Sequence, residues 1–269
     1  MHMVMTNFLQ ERKSVREYKG QSLSAKDMER VKNAVDKANT DYKAAQLSFH
    51  LYENGTIVAE KLQGKAGYGG VMVEAPHYVS MTIASKEEKD LLKAGYALES
   101  LNTDLVHMDL GTCWITVDNV EADLKKEVFG QDGENIDFLI ALGYPKGKKL
   151  FEAESHSARM ELKDFVFKDN FSTPLSLDDM ENYGLLDVFS SVRYAPSHKN
   201  AQPWRFVLKD NKVNLYLVTG KEDSRSYIDL GIMMFYFKEM MKTMGADHEW
   251  QEEDGERVEN CQLIASYSL

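Results

Sequence analysis

Hydrophobic and polar positions follow a helical period after two similar dipeptides, Leu23-Ser24 and Leu175-Ser176. Apolar residues recur three or four positions apart in the segments that follow, the first around Met28 and the second around Met180. Serine is a favoured N-cap because its hydroxyl accepts a backbone N–H of the first helical turn. Each dipeptide therefore predicts the start of an amphipathic helix.

A glutamine and an apolar run follow each of these helices and predict strands. After Gln46 the run is expected to reverse at Asn54-Gly55, a dipeptide typical of two-residue hairpin turns. After Gln202 the strand Arg205–Leu208 is expected to turn around residues 209–212 into a second strand. Both halves of the chain are therefore predicted to place a β-hairpin after a helix.

Two further features occur in the same order in each half. An apolar helical stretch with small residues near its start is found at 92–108 and again at 230–244. An apolar run typical of a buried strand then closes each half, at 138–144 and at 263–267.

The repeated order of four elements indicates an internal duplication, with chance similarity of two generic α/β units as the alternative. We expect one duplicated domain over residues 1–269, with a first half of about 1–165 and a second half of about 166–269. The polar residues 145–170 lack a strong periodic pattern and are interpreted as a crossing segment.

Composition restricts the classes of partner. The 269 residues are 43% hydrophobic and carry a formal charge of -11, so the chain is expected to form a packed core and to repel nucleic acid and anionic membranes. The sequence has no apolar stretch of about 20 residues and no export signal, and Cys113 and Cys261 do not make a disulfide framework. Its histidines, cysteines and carboxylates lack the spacing of a metal site. These features predict a cytoplasmic protein that binds no metal.

The most specific local pattern is Pro196–Phe206, which reads Pro-Ser-His-Lys-Asn-Ala-Gln-Pro-Trp-Arg-Phe. Its two prolines stiffen the backbone on both sides of Asn200, whose amide can donate to and accept from the edge of a heterocycle such as a flavin. Trp204 is interpreted as a packing residue. A second pattern, Arg12-Lys13-Ser14-Val15-Arg16, is a cationic cluster that can surround a phosphate, with a solvated helix face as the alternative.

These motifs resemble those of the FMN-dependent nitroreductases. The family's Arg-x-Ser-x-Arg pattern is similar to residues 12–16, and its Pro-Ser-x-x-Asn-x-Gln-Pro-Trp-x-Phe pattern matches residues 196–206 at each fixed position. Ordinary members carry both motifs near one N-terminus, whereas about 180 residues separate them here. The chain therefore resembles the subgroup that fuses two nitroreductase-like halves. This resemblance implies an α+β fold with an antiparallel-rich sheet and packed helices, in which the two halves imitate the family's homodimer.

The resemblance also implies FMN as the cofactor. The N-terminal cluster would hold the phosphate, the proline-rich motif would contact the flavin, and the turn after Trp114 would aim a backbone N–H at the reactive ring nitrogen. Arg159 would add a phosphate or site-closing ligand, with a solvated arginine as the alternative, and Tyr68 would line the site unless its glycine-rich segment is a surface loop. The expected cofactor-binding residues are Arg12, Lys13, Ser14, Arg16, Tyr68, Thr116, Val117, Arg159, Pro196, Ser197, Asn200 and Gln202.

The family's chemistry implies an oxidoreductase whose FMN takes a hydride from NADH or NADPH and passes electrons to a small acceptor such as a nitroaromatic or a quinone. No side chain is expected to act as a catalytic acid or base. Because each half keeps a different motif, one chain is expected to hold one FMN between its halves and to be a monomer or a weak homodimer. The alternatives are an FMN-binding module with little or no turnover, and a protein whose duplicated core only binds partners.

Overall fold

The computed structural model describes residues 8–9, 12–147, 158–220, 224–253, 255 and 257–269. The chain divides into two compact units. The first unit comprises Lys13–Lys86 and Ala97–Ala153, and the second comprises Met1–Arg12, Glu87–Tyr96 and Glu154–Leu269. Each unit contains one β-sheet.

The first unit is built on a four-stranded antiparallel sheet with the strand order β1-β2-β4-β3. Its elements in chain order are α1 (Ala25–Asp41), β1 (Leu47–Tyr52), α2 (Gly55–Leu62), β2 (His77–Ile83), α3 (Glu88–Val106, which begins in the second unit), β3 (Gly111–Thr116), α4 (Ala122–Phe129) and β4 (Ile136–Gly143). Every residue of β4 is buried, as expected for an apolar strand that has a neighbour on each side.

The second unit contains a six-stranded sheet with the order β5-β6-β7-β10-β8, in which β9 pairs with β10. Only the short edge pair of β5 and β6 is parallel among the described strands of this sheet. Its elements are β5 (Val166–Lys168), α5 (Leu177–Asn182), α6 (Leu186–Val192), β6 (Trp204–Lys209), β7 (Lys212–Val218), α7 (Ser224–Thr243), β8 (Gln251–Glu252), β9 (Arg257–Val258) and β10 (Cys261–Ser268).

Local capping chemistry explains where two of the predicted helices begin. Ser24 accepts the N–H of Asp27 at 3.1 Å before α1, and Ser176 accepts the N–H of Asp179 at 3.0 Å before α5. Helix α1 then buries Val31, Ala34, Val35 and Ala38, which recur at helical spacing on one face. Both helix starts predicted from the sequence are confirmed.

The two sheets repeat one strand order. If β1, β2, β3 and β4 are matched with β6, β7, β8 and β10 along the chain, both sheets read first, second, fourth, third. A long helix lies between the second and third strands in each case, α3 in one and α7 in the other. The repeated order of elements seen in the sequence is therefore present in the topology.

One prediction about the connections is wrong. At Asn54-Gly55 the chain begins helix α2 and does not form the predicted hairpin turn. Strand β1 pairs with β2, which comes after this helix in the chain. A Cβ at Gly55 would lie 2.2 Å from the carbonyl oxygen of Ala75, so this glycine permits a close backbone approach. The crossing segment 145–170 includes the edge strand β5, whose three residues are too few to produce a periodic pattern. The hairpin at residues 209–212 is confirmed, with Asp210 and Asn211 both at positive φ as a type I′ turn requires.

Helices α3 and α7 cross at two glycines in the second unit. A Cβ at Gly95 would lie 2.1 Å from the carbonyl oxygen of Ile228, and a Cβ at Gly231 would lie 2.0 Å from that of Leu92. Each glycine therefore contacts the residue three positions before the other glycine. This reciprocal pattern is that of an isologous two-fold contact. None of the described helices combines the length and apolar character needed to cross a bilayer.

A buried histidine joins three segments of the first unit. His77, which is 1% exposed, accepts the N–H of Leu23 on Nε2 at 3.1 Å, and its Nδ1 lies 2.7 Å from the carbonyl oxygen of Glu53. A carbonyl can only accept, so Nδ1 carries the proton and the ring is neutral. Burial lowers the pKa of His77 below its usual value.

Candidate functional site

The proline-rich motif has an unusual backbone that is held against helix α7. Lys199, Asn200 and Gln202 have positive φ angles of 51°, 57° and 48°, a region that non-glycine residues seldom occupy. Both carboxylate oxygens of the buried Asp229 accept the N–H of His198, at 2.9 and 3.0 Å. Such conformations persist only where surrounding contacts stabilise them, and they are frequent at ligand sites.

The amides of Asn200 and Gln202 bind the backbone of residues 158–160, a short segment that we call the strap. Gln202 Oε1 accepts the N–H of Met160 at 3.0 Å, and Asn200 Nδ2 donates to the carbonyl oxygen of Ala158 at 2.8 Å. Gln202 is buried, and its Nε2 lies 3.5 Å from the same Ala158 oxygen. The two amides therefore hold the strap as a neighbouring strand would, on both sides of Arg159.

Arg159 is a half-buried cation whose contacts with the described residues are with neutral or positive groups. Its Nη1 donates to Asn200 Oδ1, and its Nη2 donates to the carbonyl oxygen of Tyr194 at 3.3 Å. Its Nε is buried and has no hydrogen-bond partner among the described residues. Burial lowers the pKa of Arg159, and the charges of Arg12 and Arg193 lower it further. The guanidiniums of Arg12 and Arg193 are therefore close enough to Arg159 to repel it.

Arg193 follows helix α6 and precedes the proline-rich motif. Its Nε is also buried, without a hydrogen-bond partner in the part of the chain that the structure describes. Its Nη2 lies 3.9 Å from a carboxylate oxygen of Glu161. The Glu161 side chain is 68% exposed. A contact of this length is too long for a hydrogen bond, and an exposed carboxylate compensates little buried charge.

The residues after Arg12 belong to the first unit, where the backbone of the segment is fixed. Val15 donates its N–H to the carbonyl oxygen of Thr112 at 2.8 Å. A Cβ at Gly111 would lie 2.8 Å from Val15 Cγ1, so glycine permits this approach. Ser14 is half-buried, whereas Lys13 and Arg16 are exposed. Their assignment to the phosphate remains a prediction from the resemblance.

The predicted flavin-facing turn after β3 is packed within the first unit. Val117 is fully buried and donates its N–H to the carbonyl oxygen of Asp137 at 2.8 Å, so this amide is already paired and is not a donor for a flavin. The carbonyl oxygen of Thr116 accepts the N–H of Gly67 at 2.9 Å. Tyr68, next to this glycine, is 78% exposed, as a surface loop would place it.

The arrangement brings together residues that are far apart in the sequence, namely Arg12, Arg159, Asn200 and Gln202. Sequence reasoning missed Arg193, Asp229 and the strap contacts of the two amides. Arg193 could have been noticed as a charged residue within the apolar segment Leu185–Ala195. The role of Asp229 depends on a contact with residue 198, which no local pattern indicates.

Comparison with solved structures identifies the class of fold. A crystal structure of a "putative nitroreductase" from Thermotoga maritima has a TM-score of 0.61 at 17% identity and covers 98% of this chain and 94% of that chain. An FMN-dependent nitroreductase from Clostridium difficile has a TM-score of 0.43 at 21% identity, over 53% of this chain and 88% of that chain. A nitroreductase with bound FMN from Bacteroides fragilis has a TM-score of 0.43 at 18% identity, over 57% and 95%. The first comparison shows that this chain has a nitroreductase-like α+β fold.

The family model described as "Putative TM nitroreductase" matches residues 5–241, which is most of the chain. The chain therefore belongs to this nitroreductase family, and its class is that of the oxidoreductases. No curated protein matches the sequence. The fold and the family predicted from the sequence are confirmed.

Proposed function

We propose that this protein is an FMN-dependent oxidoreductase that takes electrons from NADH or NADPH and delivers them to a small organic electrophile such as a nitroaromatic or a quinone. Family membership supports the oxidoreductase class. The FMN named for the Bacteroides fragilis and Clostridium difficile proteins suggests the cofactor. The guanidinium cluster of the second unit is the observation that carries the proposal.

The cluster has the chemistry that a phosphomonoester requires. FMN ends in a phosphate with close to two negative charges, and the chain's net charge of -11 opposes its binding. Arg12, Arg159 and Arg193 raise the local positive potential, and the described residues offer no acceptor to the buried Nε–H groups of Arg159 and Arg193. A phosphate would supply acceptors to these donors through charge-assisted hydrogen bonds. The residues present therefore fit the phosphate end of FMN.

The other residues of the motif would position the flavin. Pro196, Ser197 and Asn200 lie on a backbone that Asp229 holds in place, and Ser197 Oγ accepts the N–H of Gln202 at 2.9 Å. Bound FMN would supply hydride and electron transfer. The protein's own groups would bind and orient it, so we propose no side-chain acid or base. Lys13, Ser14, Arg16, Thr116 and Tyr68 stay in the proposal as predicted FMN-binding residues from the resemblance alone.

The test is reconstitution of the purified chain with FMN. We expect FMN titration to saturate at one equivalent per chain, and the flavin absorbance near 450 nm to bleach when NADH or NADPH is added without oxygen. A nitroaromatic or a quinone should then restore the absorbance. A chain that binds FMN but does not bleach would instead be a binding module with little or no turnover. A chain that binds no FMN would contradict the proposal, and saturation at two equivalents would contradict the single site.

A further inference from the structure

We propose that Arg193 is a specificity-determining residue that makes the site select a flavin ending in a phosphate over an unphosphorylated flavin. The inference rests on the proposed function, because it names the chemical group that the proposed FMN site recognises. Arg193 lies outside the two sequence motifs that suggested the cofactor. Its assignment comes from the position and the surroundings of its guanidinium.

The first argument is the hydrogen bonding of Arg193. Its Nε is buried and finds no partner within the described ranges, its carboxylate contact with Glu161 is 3.9 Å long, and its guanidinium carbon lies 5.7 Å from the centre of the Tyr194 ring. A cation over an aromatic ring at this distance, close to the limit of about 6 Å, is only weakly stabilised. A buried guanidinium donor normally has an acceptor, so this geometry indicates that a ligand supplies one.

The second argument is that the protein holds Arg159 and Arg193 next to each other. Asn200 and Gln202 bind the strap on both sides of Arg159, and Tyr194, the residue after Arg193, accepts a bond from Arg159. These contacts hold Arg159 beside Arg193 although their charges repel. Like charges are kept together in folded proteins where a counter-charge binds, and a dianionic phosphate matches two or three guanidiniums better than a hydroxyl does.

The rest of a flavin carries no charge that this cluster could recognise. Riboflavin has the same ring system and ribityl chain as FMN but ends in a hydroxyl. If Arg193 acts on the phosphate, its removal should weaken the binding of FMN and leave the binding of riboflavin unchanged. If Arg193 only supports the fold of the motif, its removal should weaken the binding of both flavins.

The experiment compares FMN and riboflavin affinities of the parent chain with those of Arg193→Gln and Arg193→Lys. We expect Arg193→Gln to raise the Kd for FMN about tenfold or more, because it removes one member of a partly buried charge pair. The Kd for riboflavin should stay within about twofold of the parent's value. Arg193→Lys should lie between the parent and the glutamine variant, because lysine keeps the charge but loses the planar fork of donors.

Arg205→Gln is the matched control. Arg205 is also half-buried in the second unit, and burial lowers its pKa. It lies near the carboxylate of Asp164, and its Nη1 donates to the carbonyl oxygen of Trp204. Removing this charge should change the affinities for FMN and riboflavin equally. An Arg193→Gln variant that keeps the parent's ratio of FMN to riboflavin affinity would overturn the inference.

A phosphate-only measurement separates this inference from the proposed function. Inorganic phosphate at low salt should raise the Tm of the parent and should raise that of Arg193→Gln by less. If the parent binds neither flavin but shows this Arg193-dependent stabilisation, the anion site stands and the flavin function fails. If the parent binds FMN and phosphate stabilises both proteins equally, the proposed function stands and the role of Arg193 fails.

Discussion

The reciprocal glycine contact between α3 and α7 makes a quantitative prediction for Gly95→Ala and Gly231→Ala. A Cβ at Gly95 would lie 2.1 Å from a backbone oxygen of α7, and a Cβ at Gly231 would lie 2.0 Å from one of α3. Neither oxygen can move without its helix, so each methyl group should force the helices apart by about 1 Å. A gap of that size loses a quarter to a half of the dispersion energy between the facing atoms.

The size of the effect follows from three contributions. Overpacking of a rigid contact costs about 1–3 kcal/mol, and the lost contacts along the crossing add to this cost. Alanine returns about 1 kcal/mol because it is a better helix former than glycine. We therefore expect each single substitution to lower the free energy of unfolding by about 2–3 kcal/mol. Once one methyl group has separated the helices, the other should fit at little further cost, so the double variant should fall short of the sum by about 1 kcal/mol or more.

The measurement is urea unfolding of the chain without flavin, followed by circular dichroism and by tryptophan fluorescence. Gly20→Ala is the control, because a Cβ at Gly20 meets no heavy atom within 4 Å and its substitution should leave the midpoint nearly unchanged. Single variants as stable as the parent would show that the helices do not approach this closely. Strictly additive losses in the double variant would refute the shared helix crossing.

Two further predictions concern charge. Arg12→Gln should weaken FMN binding by about 1–2 kcal/mol, a value between those for exposed and buried ion pairs. The reason is that it removes one of the cations that act on Arg159, and an unchanged Kd for FMN at low salt would contradict this role. His77→Leu should lower stability at pH 7 by leaving the N–H of Leu23 and the carbonyl of Glu53 unpaired. Because the pKa of His77 is lowered in the folded chain, the unfolded chain binds its proton first, and the stability that His77 contributes is lost as the pH falls below about 6.5. The stability difference between the parent and His77→Leu should thus narrow from pH 7 to pH 5, and a constant difference would exclude this linkage.

Elements set by local chemistry could be predicted from the sequence. The Ser24 and Ser176 caps, the Asp210-Asn211 turn and the largely apolar strand β4 depend on residues that are close in sequence. The predicted turn at Asn54-Gly55 failed because the same dipeptide can also begin a helix. The choice between the two depends on the approach of Ala75, which is distant in sequence.

The candidate site was harder to predict because its contacts span long separations. Residues of the strap meet the amides of Asn200 and Gln202 across about forty positions, and no periodicity encodes such a pairing. The resemblance assigns the two amides to the flavin, and this assignment stays a prediction. In the folded chain they bind the strap, and a fully buried Val117 uses its N–H within the sheet. Physical reasoning from spacing alone could not have located Arg193 beside Arg159.

Two segments at matching places along the chain share a backbone conformation, but their side chains make different contacts. Gln46 before β1 and Gln202 before β6 both have positive φ, at 55° and 48°, and each follows a short 3-10 turn. In the first half, Asn39 uses both ends of its amide on the backbone of Phe49 in the adjacent strand β1, at 2.7 and 3.0 Å. In the second half, the corresponding polar segment uses Asn200 to hold a strap that carries a cation. The two segments therefore share a backbone geometry, and in the second of them the amide of Asn200 binds the guanidinium of Arg159. A phosphate would find compensating charge at that position, and this is the structural reason to expect one FMN for each chain.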